Sequence, residues 1–137
     1  MNKAAFSLDR YVFEKAQIDF TKNTSEEIDI SFNPMGKFIK GQENSKFELS
    51  FEIIVHNGDK ENGFVKVLCL SYFDFEGKIT FEEIPTYFYR NSIAIIFPYL
   101  RSFISTLTLQ ANRPPLVLPT LNLSSLEEPL KRNTKEE

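Results

Sequence analysis

The chain has 137 residues and a mass of 15.9 kDa, which is enough for one domain with a hydrophobic core and too short for two. Its net charge of -3, from 16 Lys and Arg against 19 Asp and Glu, argues against a protein that binds nucleic acid by neutralising phosphates. The 14 Phe and 5 Tyr residues, with no Trp, exclude collagen-like, low-complexity and disordered chains and leave open how much Phe is core and how much is binding surface.

A single cysteine, Cys69, and a single histidine, His56, limit the chemistry open to the chain. They exclude an intramolecular disulfide and leave too few ligands for a structural zinc site, so no metal and no cofactor is predicted. Residues 1–10 lack the apolar run of a secretory signal. The apolar stretch 92–111 carries Arg101 near its centre, which costs roughly 2.5–3.5 kcal/mol in a membrane span. We therefore expect a cytoplasmic protein that does not insert into membranes.

Four strands are predicted in the first half of the chain, with a meander-like layout as the natural arrangement. The apolar residues of 6–20 change parity along the segment, which predicts a bulge or a twist within a long first strand. Alternation of apolar and polar residues over 28–32 and 47–55 predicts two half-buried strands. Residues 64–75 are apolar on both faces, which indicates a fourth strand covered on both sides.

An amphipathic helix is predicted in the second half, because apolar residues recur every three or four positions over 93–111. Its other side carries polar residues, including Arg101. Since Pro98 removes a backbone donor, the helix is either kinked there or begins near Phe97, and the uninterrupted apolar stripe favours the kink. We expect Asn112 to end the helix in the left-handed conformation.

An apolar loop follows over 114–123, where the prolines forbid a helix and the leucines must lie on another surface. A short helix over 126–128 is predicted to end at Pro129. The last residues, 129–137, are predicted to form a charged, disordered tail. Together these elements predict two layers, with one helix covering four strands.

No catalytic arrangement is found in the sequence. His56 ends a strand beside Asn57 and Gly58 and is interpreted as a solvated or capped histidine. Cys69 lies in the most apolar strand and is interpreted as a packing thiol. The glycines are scattered and form no phosphate-binding loop. We therefore predict that the protein is not an enzyme, and that its surplus apolar surface is core, oligomer interface or a groove for apolar peptides.

The run IIFPYLRSFISTL, followed by RPPLVLPTLNLSSLEE, resembles the SecB export chaperones. The family's Phe-Pro-Tyr-x-Arg pattern matches Phe97, Pro98, Tyr99 and Arg101, and its Pro- and Leu-rich pattern ending in Asn matches 114–122. The resemblance covers residues 95–126. It departs from the family at Arg113, where an aromatic residue is usual.

This resemblance implies an α+β fold with a four-stranded antiparallel sheet, a long kinked helix and a short terminal helix. It implies a single SecB-like domain over 1–128, a homo-oligomer assembled as a dimer of dimers, and unfolded preproteins or other non-native polypeptides as clients. The SecA ATPase is a further partner that the family uses. The function predicted is thus a holdase, with a dedicated partner-binding module, such as the chaperone of a toxin–antitoxin system, as the alternative.

Two sets of site residues are predicted for a protein of this kind. The client-binding groove is expected to use Tyr11, Phe13, Phe20, Phe32, Phe38, Phe97, Leu116, Leu118 and Leu121. Packing on the sheet and contacts between subunits are expected to use Ile93, Ile96, Leu100, Phe103 and Leu107. A third possibility, a ligand-carrying or enzymatic domain, would need a closed pocket with converging polar groups, which the sequence does not indicate.

Overall fold

The computed structural model describes residues 5–119 and 122–137, and these form an α+β structure with one mixed sheet. Its elements are strands β1 (Phe6–Ile18), β2 (Asp29–Ile39), β3 (Lys46–His56), β4 (Val65–Phe75) and β5 (Thr134–Glu136), and helices α1 (Thr86–Gln110) and α2 (Glu127–Arg132). The strand order is β1-β4-β3-β2-β5. The first four strands pair antiparallel, and β5 runs parallel to β2. Because β1 pairs with β4, the four long strands are not a simple meander.

The bulge predicted in the first strand is confirmed and occurs twice. The register of β1 on β4 shifts between Leu8 and Arg10 and again between Phe13 and Lys15. Each shift compensates for a change of parity, so the apolar side chains before and after it face the same side of the sheet. Phe20, which the sequence placed in this strand, lies beyond its end in a short 3-10 turn.

The core lies between α1 and one face of the sheet. The predicted core face of 47–55 is fully buried, from Phe47 to Val55. In β4 the buried residues alternate with half-buried ones, among them Leu68 and Leu70 on the opposite face. The prediction that β4 is covered on both sides is therefore wrong, because the single helix layer shields only one face of the sheet.

Helix α1 is continuous and longer than the apolar stripe predicts. It begins at Thr86 and runs through Pro98, so the alternative start near Phe97 is wrong. Its buried side chains follow the helical period and include Phe88, Ile96 and Ile104. Asn112 has a φ of 59°, which confirms the predicted left-handed end.

Among the described residues, α1 is also the helix that is long and apolar enough to cross a membrane. Its apolar stripe is buried against the sheet, as in many core helices, so its length and composition are weak evidence for a span.

The sheet has five strands, not the four predicted, and the C-terminal segment supplies the fifth. The Gly36 N–H donates to the Asn133 carbonyl over 3.2 Å, and the Glu137 N–H donates to the Phe38 carbonyl over 2.9 Å. Helix α2 continues through Pro129, because proline in the first turn removes an N–H that has no partner within the helix. In place of the disordered tail expected over 129–137, these residues pack along the outer edge of β2.

Candidate functional site

Three polar side chains of α1 hold the apolar loop that follows it. The Arg101 Nε donates to the Leu118 carbonyl over 2.8 Å, and the Ser105 hydroxyl donates to the Leu116 carbonyl over 2.9 Å. The Leu116 N–H in turn donates to Thr108 Oγ1 over 2.8 Å. These side chains recur every three or four residues on one side of α1, the polar side predicted from the sequence. They satisfy the backbone of an extended segment that has no neighbouring strand.

A cavity of about 580 Å³ lies between α1 and this loop, and we call it the loop groove. It is lined by Ala94, Phe97, Pro98, Arg101, Ser102, Ser105, Val117 and Leu123. Its size falls within the range of ligand sites in proteins. The groove is open to solvent, because the Val117 side chain on its rim is 62% exposed. It therefore presents an apolar surface that a second molecule can reach.

Phe32 of β2 and Phe97 of α1, both predicted to contact clients, are brought together beside the loop groove. Their ring centroids are 6.2 Å apart with the rings inclined at 60°, and Phe32 also lies 6.0 Å from Phe51 in the core. Phe97 is buried and Phe32 is half-buried. The two rings thus connect the groove to the core side of β2.

Two other predicted client-binding residues, Tyr11 and Phe13, lie on the opposite side of α1. Tyr11 stacks on Tyr99 with centroids 4.3 Å apart, and Phe13 stacks on Phe103 at 4.0 Å. We call these four rings the β1 aromatic cluster. At 100° per residue, Tyr99 is turned about 160° from Phe97 on the helix. The prediction therefore combined residues from two separate surfaces, of which only one borders the loop groove.

Burial removes two of the predicted residues from any client-binding surface. Phe38 is 0% exposed and packs beside Phe75 and Phe81, with centroids 6.3 and 5.9 Å away. Leu118 is 1% exposed and only its carbonyl contributes to the loop anchor. The prediction is wrong at both positions, because Phe38 lies on the helix-facing side of β2 and the Leu118 side chain packs into the core.

Two of the remaining predicted residues, Phe20 and Leu116, lie near the start of the loop. The ring centroids of Phe20 and Phe64 are 5.8 Å apart. The Arg113 guanidinium lies 4.5 Å above the Phe20 ring. Leu116 is half-buried against the core. Leu121 lies outside the described residues. The SecB family usually has an aromatic residue at the position of Arg113. In this chain Arg113 covers the aromatic ring of Phe20.

Most side chains predicted to contact other subunits pack within the same chain. Ile93, Ile96 and Leu100 are fully buried and pack on the sheet, so the part of the prediction that placed them between subunits is wrong. Phe103 and Leu107 are half-buried. The large apolar residues that α1 does expose are Ile95, Tyr99 and Leu109. Ile95 and Leu109 were not predicted as contact residues, because they lie off the core stripe.

The single cysteine, Cys69, is buried, and the single histidine, His56, is hydrogen-bonded within the chain. Burial raises the pKa of the Cys69 thiol to about 11, so the thiol is protonated at neutral pH. His56 Nδ1 accepts from the Gly58 N–H over 3.1 Å, and Nε2 lies 2.8 Å from the Ser31 hydroxyl. Within 5–119 and 122–137, no group of three or more His, Cys, Asp or Glu side chains could hold a metal ion.

The loop groove itself is lined by apolar side chains, two serines and one arginine. Among the described residues, its lining includes neither Cys69 nor His56, and it has no carboxylate. This combination suits binding through apolar contact and hydrogen bonds, and it offers no base to activate either serine. The fold and the groove together define an α+β protein with an open apolar cleft between a long helix and an extended loop.

Comparison with known proteins identifies this fold. No family model matches the chain. A stretch of 51 residues is 45% identical to an uncharacterized protein of Methanocaldococcus jannaschii and covers 34% of this chain. The chain spans about a third of the length of that curated relative, 33%.

Two solved structures share the architecture over most of the chain. A SecB-like chaperone of Mycobacterium tuberculosis, solved in complex with a ChAD peptide from the HigA1 antitoxin, matches with a TM-score of 0.64 at 18% identity, covering 85% of this chain and 88% of that one. A protein of unknown function from Streptococcus agalactiae matches with a TM-score of 0.60 at 9% identity, covering 87% and 100%. The chain has a SecB-like fold, and the predicted resemblance is confirmed at the level of the fold.

Proposed function

We propose that this protein is a SecB-like holdase that binds non-native polypeptides in the loop groove, without catalysis and without a cofactor. The observation that carries the proposal is the groove itself: an open, mostly apolar cavity of about 580 Å³ in a SecB-like fold. The Mycobacterium tuberculosis neighbour was solved with a peptide bound, which supports a polypeptide as the ligand class here. A cytoplasmic location follows from the same proposal.

The size of the groove sets the strength of binding expected from one copy of the chain. A cavity of this volume accommodates one or two large side chains of a client. Each apolar side chain that becomes fully buried contributes roughly 1.5–3 kcal/mol, from which the cost of ordering the client is subtracted. A single groove therefore binds weakly, and several grooves on one assembly are needed to hold an unfolded chain.

A homo-oligomer, with the predicted dimer of dimers as the arrangement, would supply those repeated grooves. Exposed Ile95 and Leu109 on α1 are candidate contact residues, because such large apolar side chains favour burial between subunits. Light scattering of the purified chain tests this part of the proposal. A tetramer supports it, whereas a monomer at micromolar concentration contradicts it.

The experiment that tests holdase function compares two exposed apolar residues of similar size. Val117 lines the loop groove, and Ile28, which is 44% exposed, lies outside it. The unmodified chain is expected to slow the refolding of a denatured client at stoichiometric amounts. Val117→Asp should remove most of that effect by placing a charge in the apolar cavity, and Ile28→Asp should retain it.

A client that refolds at the control rate, with no complex on a sizing column, contradicts holdase function. Equal effects of the two substitutions contradict the assignment to the loop groove. Circular dichroism of both variants checks that each is folded.

The alternative is a module dedicated to one partner, such as an antitoxin. The antitoxin peptide bound by the Mycobacterium tuberculosis neighbour favours it as strongly as it favours a holdase. Competition separates the two functions, because a holdase exchanges unrelated unfolded clients whereas a dedicated module ignores them. Delivery of clients to SecA is a further step within the holdase proposal, tested by whether purified SecA binds the loaded chain.

A further inference from the structure

One wall of the loop groove belongs to the C-terminal segment of the chain. Leu123 lines the groove and begins the 3-10 turn Leu123–Leu126, which passes directly into α2. Strand β5 follows α2 after a single residue, Asn133. The groove wall and the last strand of the sheet are therefore parts of one short connected segment. We call residues 123–137 the latch.

The two walls of the groove are held in different ways. The wall that carries Val117 is fixed to α1 by the hydrogen bonds of Arg101, Ser105 and Thr108 to the loop. In the part of the chain that the structure describes, the backbone hydrogen bonds between the latch and other elements reach β2 instead. The position of the groove wall in the latch therefore depends on contacts made at the far end of the latch.

The latch is connected along its length, but its contact with the sheet is small. Leu130 is fully buried in the core, and the Thr134 hydroxyl donates to the Leu130 carbonyl over 2.6 Å, which ties β5 to the end of α2. Strand β5 has three residues, all polar or charged, and pairs parallel with β2. Such a short parallel pairing opens more readily than the long antiparallel pairs beside it.

We propose that docking of β5 on β2 completes the loop groove, so that the edge of the sheet controls how tightly a client is held. A client side chain between Val117 and Leu123 keeps its contact with Leu123 only while the latch is docked. Because a ligand stabilises the state that it binds better, a bound client in turn holds β5 on the sheet. Asn133 and Thr134 are thus positioning residues that act on the client through Leu123. The inference rests on the proposed function and adds a control of client release.

Hydrogen exchange of the full chain, followed by NMR, tests this coupling from the groove side. The probes are the Gly36 and Glu137 amides, whose hydrogen bonds break when β5 leaves β2. The ligand is a fluorescein-labelled, unstructured peptide with a central Leu-Phe pair, at about three times its dissociation constant. Both amides should exchange about fourfold more slowly, because binding to the docked state alone lowers the undocked population by that factor. The Glu76 amide, which donates to Ala5 outside the latch and the groove lining, should be unchanged.

A substitution on β2 tests the coupling from the other side. A Cβ at Gly36 would overlap the Thr134 hydroxyl, so Gly36→Ala should undock β5 without touching a residue that lines the groove. Fluorescence anisotropy should show peptide binding that is about fivefold weaker or more, within the usual range of coupling between sites. Met35→Ala, at an exposed position of the same strand, should leave the affinity and the exchange of the Glu137 amide unchanged.

A cross-link separates docking of the latch from general stability. Lys37 and Lys135 are exposed and lie opposite each other in the register of β2 and β5. Neighbouring strands are about 4.8 Å apart, a distance that a disulfide spans, so Lys37→Cys combined with Lys135→Cys can lock β5 in place. The measurement uses a urea concentration at which the Glu137 amide of the reduced variant exchanges freely while its circular dichroism is still native. There the oxidised form should keep its affinity for the peptide and the reduced form should lose it.

Three results would each overturn this inference and leave the proposed function intact. They are unchanged exchange of the Glu137 amide on peptide binding, full affinity of Gly36→Ala despite fast exchange of that amide, and equal affinities of the oxidised and reduced forms in urea. Absence of peptide binding by the unmodified chain overturns the proposed function and this inference with it.

Discussion

Phe13 of β1 stacks face to face on Phe103 of α1, with ring centroids 4.0 Å apart and ring planes inclined at 11°. The stack of Tyr11 on Tyr99 lies beside it, so two aromatic pairs hold the edge strand of the sheet against the helix. Such pairs contribute more than the burial of their area alone. The β1 aromatic cluster is therefore used largely for packing within the chain, whereas the loop groove on the other side of α1 stays open.

We predict that Phe13 and Phe103 are energetically coupled. Each substitution to Ala should lower the free energy of unfolding by about 1–3 kcal/mol, because both rings are half-buried. The double variant should lose about 1 kcal/mol less than the sum of the single losses, since the stacking energy is lost only once. Urea denaturation followed by circular dichroism measures all three values.

Phe20 is the matched control for this cycle. It is half-buried like Phe13 but packs on Phe64. Phe20→Ala combined with Phe103→Ala should be additive within about 0.5 kcal/mol. Additive losses in the Phe13–Phe103 cycle as well would show that the stack stabilises the chain by burial only.

The long strands were predictable because a sheet with one covered face leaves a period of two in the sequence. The alternation over 47–55 identified β3, and the change of parity in 6–20 identified a bulged β1. Strand β5 leaves no such signal, since its three residues, Thr134–Glu136, are polar or charged. Its place depends on backbone hydrogen bonds to β2 and on buried Leu130, both of which involve distant parts of the chain.

The site was predictable in part for a similar reason. Phe97, which was predicted to contact clients, lines the loop groove, whereas Arg101 lines it without having been assigned to the site. The helical period, however, cannot distinguish a polar side chain that faces water from one that binds a neighbouring backbone, as Ser105 and Thr108 do. Phe38 shows the converse limit. Near the end of a strand, the sequence pattern is the same for a buried apolar residue and for an exposed one.

We predict that the Thr108 hydroxyl anchors the start of the loop. Thr108→Val keeps the shape of the side chain but removes the acceptor of the Leu116 N–H, so it should lower the free energy of unfolding by about 1–2 kcal/mol. The same variant should also weaken client binding, because Val117 on the groove rim follows Leu116 directly. Urea denaturation and peptide anisotropy measure the two effects.

Thr106→Val provides the comparison for Thr108→Val, since Thr106 lies exposed on the same helix. It should change stability by less than about 0.5 kcal/mol. If the two variants behave alike, the hydrogen bond to Leu116 does not stabilise the loop.

We predict that Gly36 is required for the docking of β5. A Cβ at this position would overlap the Phe47 ring and the Thr134 hydroxyl, and both of these residues are buried. Gly36→Ala should therefore cost about 1–3 kcal/mol and displace the C-terminal strand. Hydrogen exchange should show faster exchange at the Gly36 and Glu137 amides, whose bonds join β2 to the C-terminal segment.

Met35→Ala on the same strand is the control for Gly36→Ala, because the Met35 side chain is exposed. It should leave stability within about 0.5 kcal/mol and the exchange of the Glu137 amide unchanged. Retention of slow exchange in Gly36→Ala would mean that the sheet edge adapts without releasing β5.

We predict that Cys69 makes the chain less stable at alkaline pH. Burial raises the pKa of its thiol from 9.0 to about 11, so the folded state holds the proton more tightly than the unfolded state does. As pH rises past 9, unfolding releases that proton and the free energy of unfolding falls. This contribution to the free energy of unfolding is fully present below pH 9. Up to about 3 kcal/mol of it is lost by pH 11.

Cys69→Ala isolates this contribution, because Tyr89, whose pKa burial also raises, titrates in both proteins. The stability of the unmodified chain relative to Cys69→Ala should fall between pH 9 and pH 11 in urea denaturation series. A relative stability that is constant across this range would show that the thiol does not titrate differently on folding. Ellman's reagent at pH 8 gives a second readout, since the buried thiol should react only after urea is added.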